Sequence, residues 1–481
     1  MSKPFTWGYE PAPESASHLQ IKKQYELFIN GSFISPASQT YFNSINPSNG
    51  EKIAQFAYAN EEDVNVAVAA AKDSFKDWQA LSGSDRGKYI FRIARILQER
   101  AKEFAIAESM DGGKPIKEAK EVDIPLAANH FFYYAGWADK LEEAFPGNKP
   151  EALGVVGQII PWNFPLLMAA WKIAPALATG NTVVLKSAET SPLTAMLLAE
   201  VIQEAGLPKG VVNIISGDGK TGAAIVQHPD IQKIAFTGSS AVGKWIQKAI
   251  AGTGKKLTLE LGGKSANIVF ADAAIDQAVE GIVNGIFFNQ GHVCCAGSRL
   301  LVEESVADLV LEKLKHRMSY LIVGDALDKN TDIGAIHSKA QFEKIQSYLA
   351  LGKEEGAEMY QTECALPEKG WFIRPTLFIN VAQSARISQE EIFGPVLTIQ
   401  TFRTIDEALQ KANNSPYGLA AGVWSETGSK IMRMSKELKA GVVWANTYNK
   451  FDPSSPFGGV KESGFGREGG RHGLTPYLKF S

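Results

Sequence analysis

From residue 154 onward, short apolar runs alternate with longer amphipathic stretches. The runs GVVGQIIP (154–161), NTVVLK (181–186), VVNIIS (211–216), KIAFTG (233–238) and KKLTLELG (255–262) are rich in β-branched residues and end at Gly, Pro or polar residues. Runs of this length and composition suit strands buried on both faces. Between them, 192–205 and 239–251 carry apolar residues at helical spacing. The rhythm predicts right-handed βαβ units and a parallel sheet covered on both sides. Upstream, 61–81 and 84–108 read as amphipathic helices packed on that sheet. The alternation resumes at SANIVFAD (265–272), with a helix to Phe288, a strand in SRLLVEES (298–305) and a helix to about Met318. Later strands are predicted in WFIRPTLFIN (371–380), VLTIQTF (396–402), LAAGVWS (419–425) and GVVWANT (441–447). The expected fold class is α/β, with a second α/β unit following the first near Gly262–Gly263.

Composition narrows the function classes. A chain of 481 residues is long enough for two units, and a formal net charge of −3 offers no broad basic surface for nucleic acid. No apolar run reaches membrane-span length, and residues 1–18 form a polar arm bearing Pro and Ser rather than a secretory apolar segment. Three cysteines, two of them adjacent, argue for a reducing compartment and against a disulfide framework. The expectation is a cytoplasmic protein with neither a nucleic-acid nor a membrane partner, and no metal ligand set is apparent.

The most informative segment is FFNQGHVCCAGSR (287–299), which sets Cys294 and Cys295 among small residues after a predicted helix. A thiol there is expected to be reactive if backbone N–H groups or positive charge stabilise its thiolate. Other strand ends carry complementary groups. Asn163, in PWNFP (161–165), is placed either to donate to a developing oxyanion or to cap a helix. Glu260 ends the apolar strand LTLEL, where partial desolvation would raise its pKa and suit a general base; a solvated strand terminus is the alternative. Gly238 to Gly243, after KIAFTG, opens a helix where a pyrophosphate can lie, although the spacing is GxxxxG and also fits a plain strand–helix turn. Lys186 and Glu189 follow the neighbouring strand. An acid there can accept the ribose hydroxyls of NAD, or simply complement a helix dipole. Taken together, thiol, base, oxyanion donor and nucleotide turn at successive strand ends describe covalent oxidation of a carbonyl.

Over residues 25–479 the chain resembles the aldehyde dehydrogenase superfamily. The motifs that carry the resemblance are PWNFP (161–165), FTGSSAVG (236–243), LELGGKS (259–265), FNQGHVCCAGSR (288–299), EEIFGPV (390–396) and PFGGVKESGFGRE (456–468). The resemblance implies a Rossmann-like NAD-binding domain over 1–140 and 153–262 and a catalytic domain over 263–465. It implies Cys294 as nucleophile, Glu260 as base and Asn163 as oxyanion donor. Cofactor positions fall on Ile159, Trp162, Lys186, Glu189, Gly219, Phe236, Gly238, Ser239, Val242, Gly243, Leu261, Glu391 and Phe393, with NAD favoured over NADP. The implied reaction adds Cys294 to a small-molecule aldehyde, passes hydride to NAD and leaves a thioester for Glu260-assisted hydrolysis. Substrate-tunnel positions fall on Phe164, Met168, Trp171, Phe288, Val293, Cys295, Phe451 and Phe457. Their aromatic and apolar character favours medium aliphatic or aromatic aldehydes over phosphorylated or anionic ones.

Three departures from the family pattern matter. His292 stands where Gln is common, two residues before the thiol, and reads as a surface or packing histidine rather than one that tunes the Cys294 pKa. The connection LEEAFPGNKPEAL (141–153) is short and carries Pro146, Gly147 and Pro150, and the chain stops soon after Lys479. The bridging element over 141–152 and 466–481 is therefore expected to be trimmed or absent, favouring a homodimer or monomer over a tetramer. Two other readings stay open: a non-catalytic binding or structural subunit of this fold, and a dedicated semialdehyde dehydrogenase, for which Lys450 is the nearby basic anchor.

Overall fold

The computed structural model describes residues 10–480; the first half of the polar arm expected over 1–18 lies outside the described residues. Five parallel strands form the heart of the first sheet: β1 (Val155–Ile159), β2 (Thr182–Ser187), β3 (Val212–Ser216), β4 (Ile231–Thr237) and β5 (Lys256–Glu260). Their order is β5-β4-β1-β2-β3, so the chain reverses direction across the sheet between β1 and β4. The crevice beyond the carboxyl ends at such a reversal is where open α/β sheets hold ligands. Helices α1 (Pro165–Ala178), α2 (Leu193–Glu204), α3 (Gly219–Gln227) and α4 (Ser240–Ala249) make the crossovers. Every residue of β1, β2 and β3 is buried, as the unbroken apolar runs require.

The second sheet has seven strands. Its parallel part contains β6 (Ala266–Val269), β7 (Arg299–Glu303), β8 (Thr376–Ile379), β9 (Val396–Phe402), β10 (Ala420–Trp424) and β11 (Val442–Ala445), in the order β8-β9-β7-β6-β10-β11. Helix α5 (Ile275–Phe287) leads into the loop that carries Cys294 and then into β7. That loop lies against the carboxyl ends of the first sheet, and Gly464–Phe465 returns to pair with β5.

Three features differ from the sequence expectation. The predicted helix over 84–108 is two helices, Gly83–Glu99 and Ala101–Gly112, broken at Arg100. The Arg100 guanidinium binds Glu103 at 2.7 Å and Glu200 at 3.0 Å, holding the break against α2. Five short strands between Gln24 and Ala57 were not foreseen; two of them, Leu27–Ile29 and Ser32–Ile34, extend the first sheet beyond β3. Where the bridging element was expected to be trimmed or absent, a two-stranded ribbon is present. Pro150–Ala152 pairs antiparallel with Leu478–Phe480 of the same chain, with Pro150 opposite Phe480. Proline is tolerated because it is the first residue of its strand in a ribbon of only two strands.

Candidate active site

The two sheets face each other across a cleft of about 300 Å³. Asn163, Glu260 and Cys294 all line it, and so do all eight of the tunnel positions, Phe164, Met168, Trp171, Phe288, Val293, Cys295, Phe451 and Phe457. Six of the cofactor positions line it as well: Trp162, Gly238, Ser239, Leu261, Glu391 and Phe393.

Cys294 is brought there by a left-handed turn. Asn289, Gln290 and Gly291 have φ of 49°, 54° and 75°, which reverses the chain straight after α5. The Asn289 side chain then donates to the Asn163 carbonyl at 2.8 Å, tying the thiol loop to the start of α1. Asn163 itself is not a helix cap: α1 is preceded by Phe164 with no side-chain cap. Its amide donates to the His292 carbonyl at 2.8 Å, which fixes the side chain and leaves one N–H for another acceptor. The Cys294 amide has no acceptor among the described residues.

Glu260 is buried, and neither carboxylate oxygen has a partner. Burial, with the nearby Glu468 carboxylate adding to it, holds its pKa well above the usual range. The solvated strand terminus is thereby ruled out. Behind it, the buried Lys172 binds Glu468 at 2.5 Å and the Thr237 hydroxyl at 2.7 Å. The Cys294 thiol is also pushed well up, first by the adjacent Cys295 thiol and then by burial. No neighbouring cation lowers the Cys294 pKa, so stabilisation by positive charge, one of the two sequence-based expectations for this loop, is not met. Cys295 is buried in the wall, its Sγ 3.7 Å from Asn449 Oδ1.

His292 is a packing histidine, not a surface one. Its Nε2 accepts from the His337 amide at 3.3 Å, so Nδ1 carries the proton and donates to the Phe393 carbonyl at 2.9 Å. Burial lowers its pKa to about 3, which leaves the ring uncharged near the thiol. Trp162 stacks on His337 at 4.2 Å and meets His292 and Phe393 edge-on, making an aromatic wall.

The other cofactor positions continue this wall along the carboxyl edge of the first sheet. Ile159 ends β1, Lys186 lies in β2, Gly219 begins α3 and Phe236 lies in β4. Lys186 reaches the exposed Glu189 carboxylate at 3.2 Å, and burial lowers the Lys186 pKa. Ser239 caps α4 by accepting from the Val242 amide at 3.4 Å. Gly243 is needed for packing, since a Cβ there would fall 2.6 Å from the Leu261 side chain. Gly262 is needed for the same reason against Glu391, whose Oε1 accepts from the Gly263 amide at 2.9 Å. A helix N-terminus, a glycine turn, a buried lysine and the Glu189 carboxylate along one sheet edge, with Glu391 from the segment before β9, are the donors and acceptors a dinucleotide requires.

Sequence reasoning missed several lining residues. Val122, Asp123, Leu126, Leu167, Thr237, Asn284, Gln341, Lys344 and Asn449 also border the cleft. Most lie on helices, where no motif distinguishes a lining residue from ordinary core.

Comparison with known proteins gives a consistent result. The model of the aldehyde dehydrogenase family matches residues 33–481. The chain is 46% identical to the mitochondrial aldehyde dehydrogenase of Rattus norvegicus, covering 94% of this chain and 90% of that one. It is 46% identical to an aldehyde dehydrogenase of Alternaria alternata over 94% of this chain and 93% of that one. Among solved structures, the NAD+ complex of an aldehyde dehydrogenase from Bacillus cereus superposes with a TM-score of 0.93 at 41% identity, covering 96% of each chain. The indole-3-acetaldehyde dehydrogenase AldA of P. syringae, in complex with NAD+ and IAA, gives 0.93 at 40% identity over 97% of each chain. With thiol, carboxylate and amide converging on one cleft and these matches spanning nearly its whole length, the chain belongs to the aldehyde dehydrogenase family.

Proposed function

We propose that the protein oxidises an aldehyde to its carboxylic acid with NAD, through a covalent intermediate on Cys294. The observation that carries this reading is the pairing of the Cys294 thiol with Glu260, a buried carboxylate free of any partner, in one cleft. The Cys294 sulfur adds to the aldehyde carbon as its proton passes to water in the cleft. The oxyanion that forms is held by the free N–H of the Asn163 amide and by the Cys294 backbone N–H. NAD, bound along the edge from Trp162 to Glu391, supplies the hydride acceptor. A thioester then remains on Cys294. Glu260 takes a proton from water, and the water attacks the thioester carbon to release the acid. Behind Glu260, the charge of the Lys172 ammonium favours the carboxylate form, which is the form that acts as base, and the proton taken up passes on to water in the cleft.

The exposed Glu189 carboxylate at the end of β2 accepts ribose hydroxyls and repels a 2′-phosphate, which favours NAD over NADP. The apolar tunnel walls suit a medium aliphatic or aromatic aldehyde. The two sheets are assigned as a nucleotide-binding domain and a catalytic domain. The three-residue ribbon of Pro150–Ala152 with Leu478–Phe480 supports a dimer or monomer over a tetramer, and the three free cysteines support a reducing, cytoplasmic setting. The experiment is NADH absorbance across an aldehyde panel with NAD and NADP side by side. Wild type is expected to turn over with NAD preferred, and Cys294→Ala to give no NADH; turnover in Cys294→Ala, or equal use of NADP, contradicts the reading.

A further inference from the structure

Five lining residues of the cleft are exposed to solvent, and they mark two openings. Ser239 and Lys344 open it on the nucleotide side; Val122, Asn284 and Lys450 open it on the tunnel side. The tunnel rim is asymmetric in charge. Its one carboxylate, Asp123, is buried and bonded to Lys114, so it is held back from the solvent-exposed rim. Lys450 is fixed only through its backbone carbonyl, which accepts from Trp444 Nε1 at 3.0 Å, and its ammonium is free of any carboxylate among the described residues. Beside it, Asn449 Nδ2 donates to the Asn284 carbonyl at 3.1 Å, which orients both residues at the rim and spends the backbone acceptor. The Asn449 carbonyl oxygen is taken by the Cys295 thiol. The groups left to meet a ligand there are the Lys450 ammonium and the Asn284 side-chain amide.

We propose that Lys450 and Asn284 form a specificity site for an anionic group at the far end of the aldehyde. The substrate class is then an aldehyde acid: a carbonyl at Cys294, a hydrocarbon or aromatic spacer in the throat of Phe164, Trp171, Phe451 and Phe457, and a carboxylate at the rim. This rests on the proposed aldehyde oxidation. It refines the apolar reading of the tunnel, which described the throat and not its mouth. An ammonium in contact with water contributes modestly and is screened by salt, so the effect is a preference and not an absolute requirement.

The test is the ratio of kcat/KM for length-matched pairs: 7-oxoheptanoate against heptanal, and 4-carboxybenzaldehyde against 4-methylbenzaldehyde. The ratio is expected to favour the acids by about fivefold at low salt and to shrink as salt is raised. It is expected to collapse in Lys450→Ala through KM, to be kept in Lys450→Arg, and to invert in Lys450→Glu. A ratio that is the same in wild type, Lys450→Ala and Lys450→Glu overturns the proposal while leaving aldehyde oxidation intact. Absence of turnover with every aldehyde in wild type is a failure of the underlying function instead, and the two are read from the same plate.

Discussion

Behind Phe164, Lys114 is enclosed with Glu108 and Asp123, and its ammonium also lies 4.1 Å over the Phe164 ring. Behind Glu260, Lys172 is enclosed with Glu468. Both clusters are buried, both border the same cleft, and both join a lysine to carboxylates. They differ in what is left over. Burial opposes the charge on Lys114, but Asp123 and Glu108 outweigh it and raise its pKa, so each carboxylate of the cluster has the lysine as a partner. In the second cluster the carboxylate nearest the thiol, Glu260, is excluded from the pairing and has no hydrogen-bond partner at all. A paired group resists gaining or losing a proton; an unpaired one beside a reactive sulfur is available to exchange one. The same residue types therefore make scaffold in one place and chemistry in the other.

The largest expected effect breaks the chemical member. Glu260→Gln keeps the shape and removes the base, so steady-state NADH production should fall by about 10²- to 10⁴-fold, the usual contribution of a positioned acid–base group. Retention of wild-type turnover would place the base elsewhere. Breaking the scaffold member should act on folding instead. Lys114→Met leaves Glu108 and Asp123 buried without their cation, at a cost of about 3–5 kcal/mol, read from denaturant or thermal unfolding. An unaltered midpoint would mean that the ion pair is not what holds that wall.

A smaller effect sharpens the contrast through pH. The folded pKa of Glu260 lies above its ordinary value of 4.5. The folded chain therefore keeps a proton that the unfolded chain releases, and stability is lost as pH rises from about that value towards the folded one. Glu260→Gln removes this decline, so the variant should gain on wild type in melting temperature as pH increases. A constant difference across pH would show that Glu260 is not held protonated by burial.

How much of this was legible beforehand depended on whether a residue's role was local. Cys294, Asn163 and Glu260 sit in short motifs at strand and helix ends, where the chain itself determines what points into the crevice. The strand rhythm predicted β1 to β5 because strands buried on both faces must be continuously apolar. The short strands between Gln24 and Ala57 lacked that signal, being too brief to show a period. Lys172 and Glu468 are 296 positions apart in sequence, and nothing near either one announces the other. Glu260's isolation was equally hidden, since being unpartnered is a property of the surrounding packing and not of the residue. His292 was read as either a surface or a packing residue; only the fold shows it buried and sets its tautomer through His337 and Phe393.

The central claim is that Cys294, and not its neighbour, carries the acyl group that Glu260 helps to release. Its most direct test is mass spectrometry of Glu260→Gln mixed with NAD and an aldehyde, with peptide fragmentation across 287–299. The expected result is an acyl adduct on Cys294, accompanied by a burst of about one NADH per chain. An adduct on Cys295, or a burst with no adduct on either thiol, would contradict it.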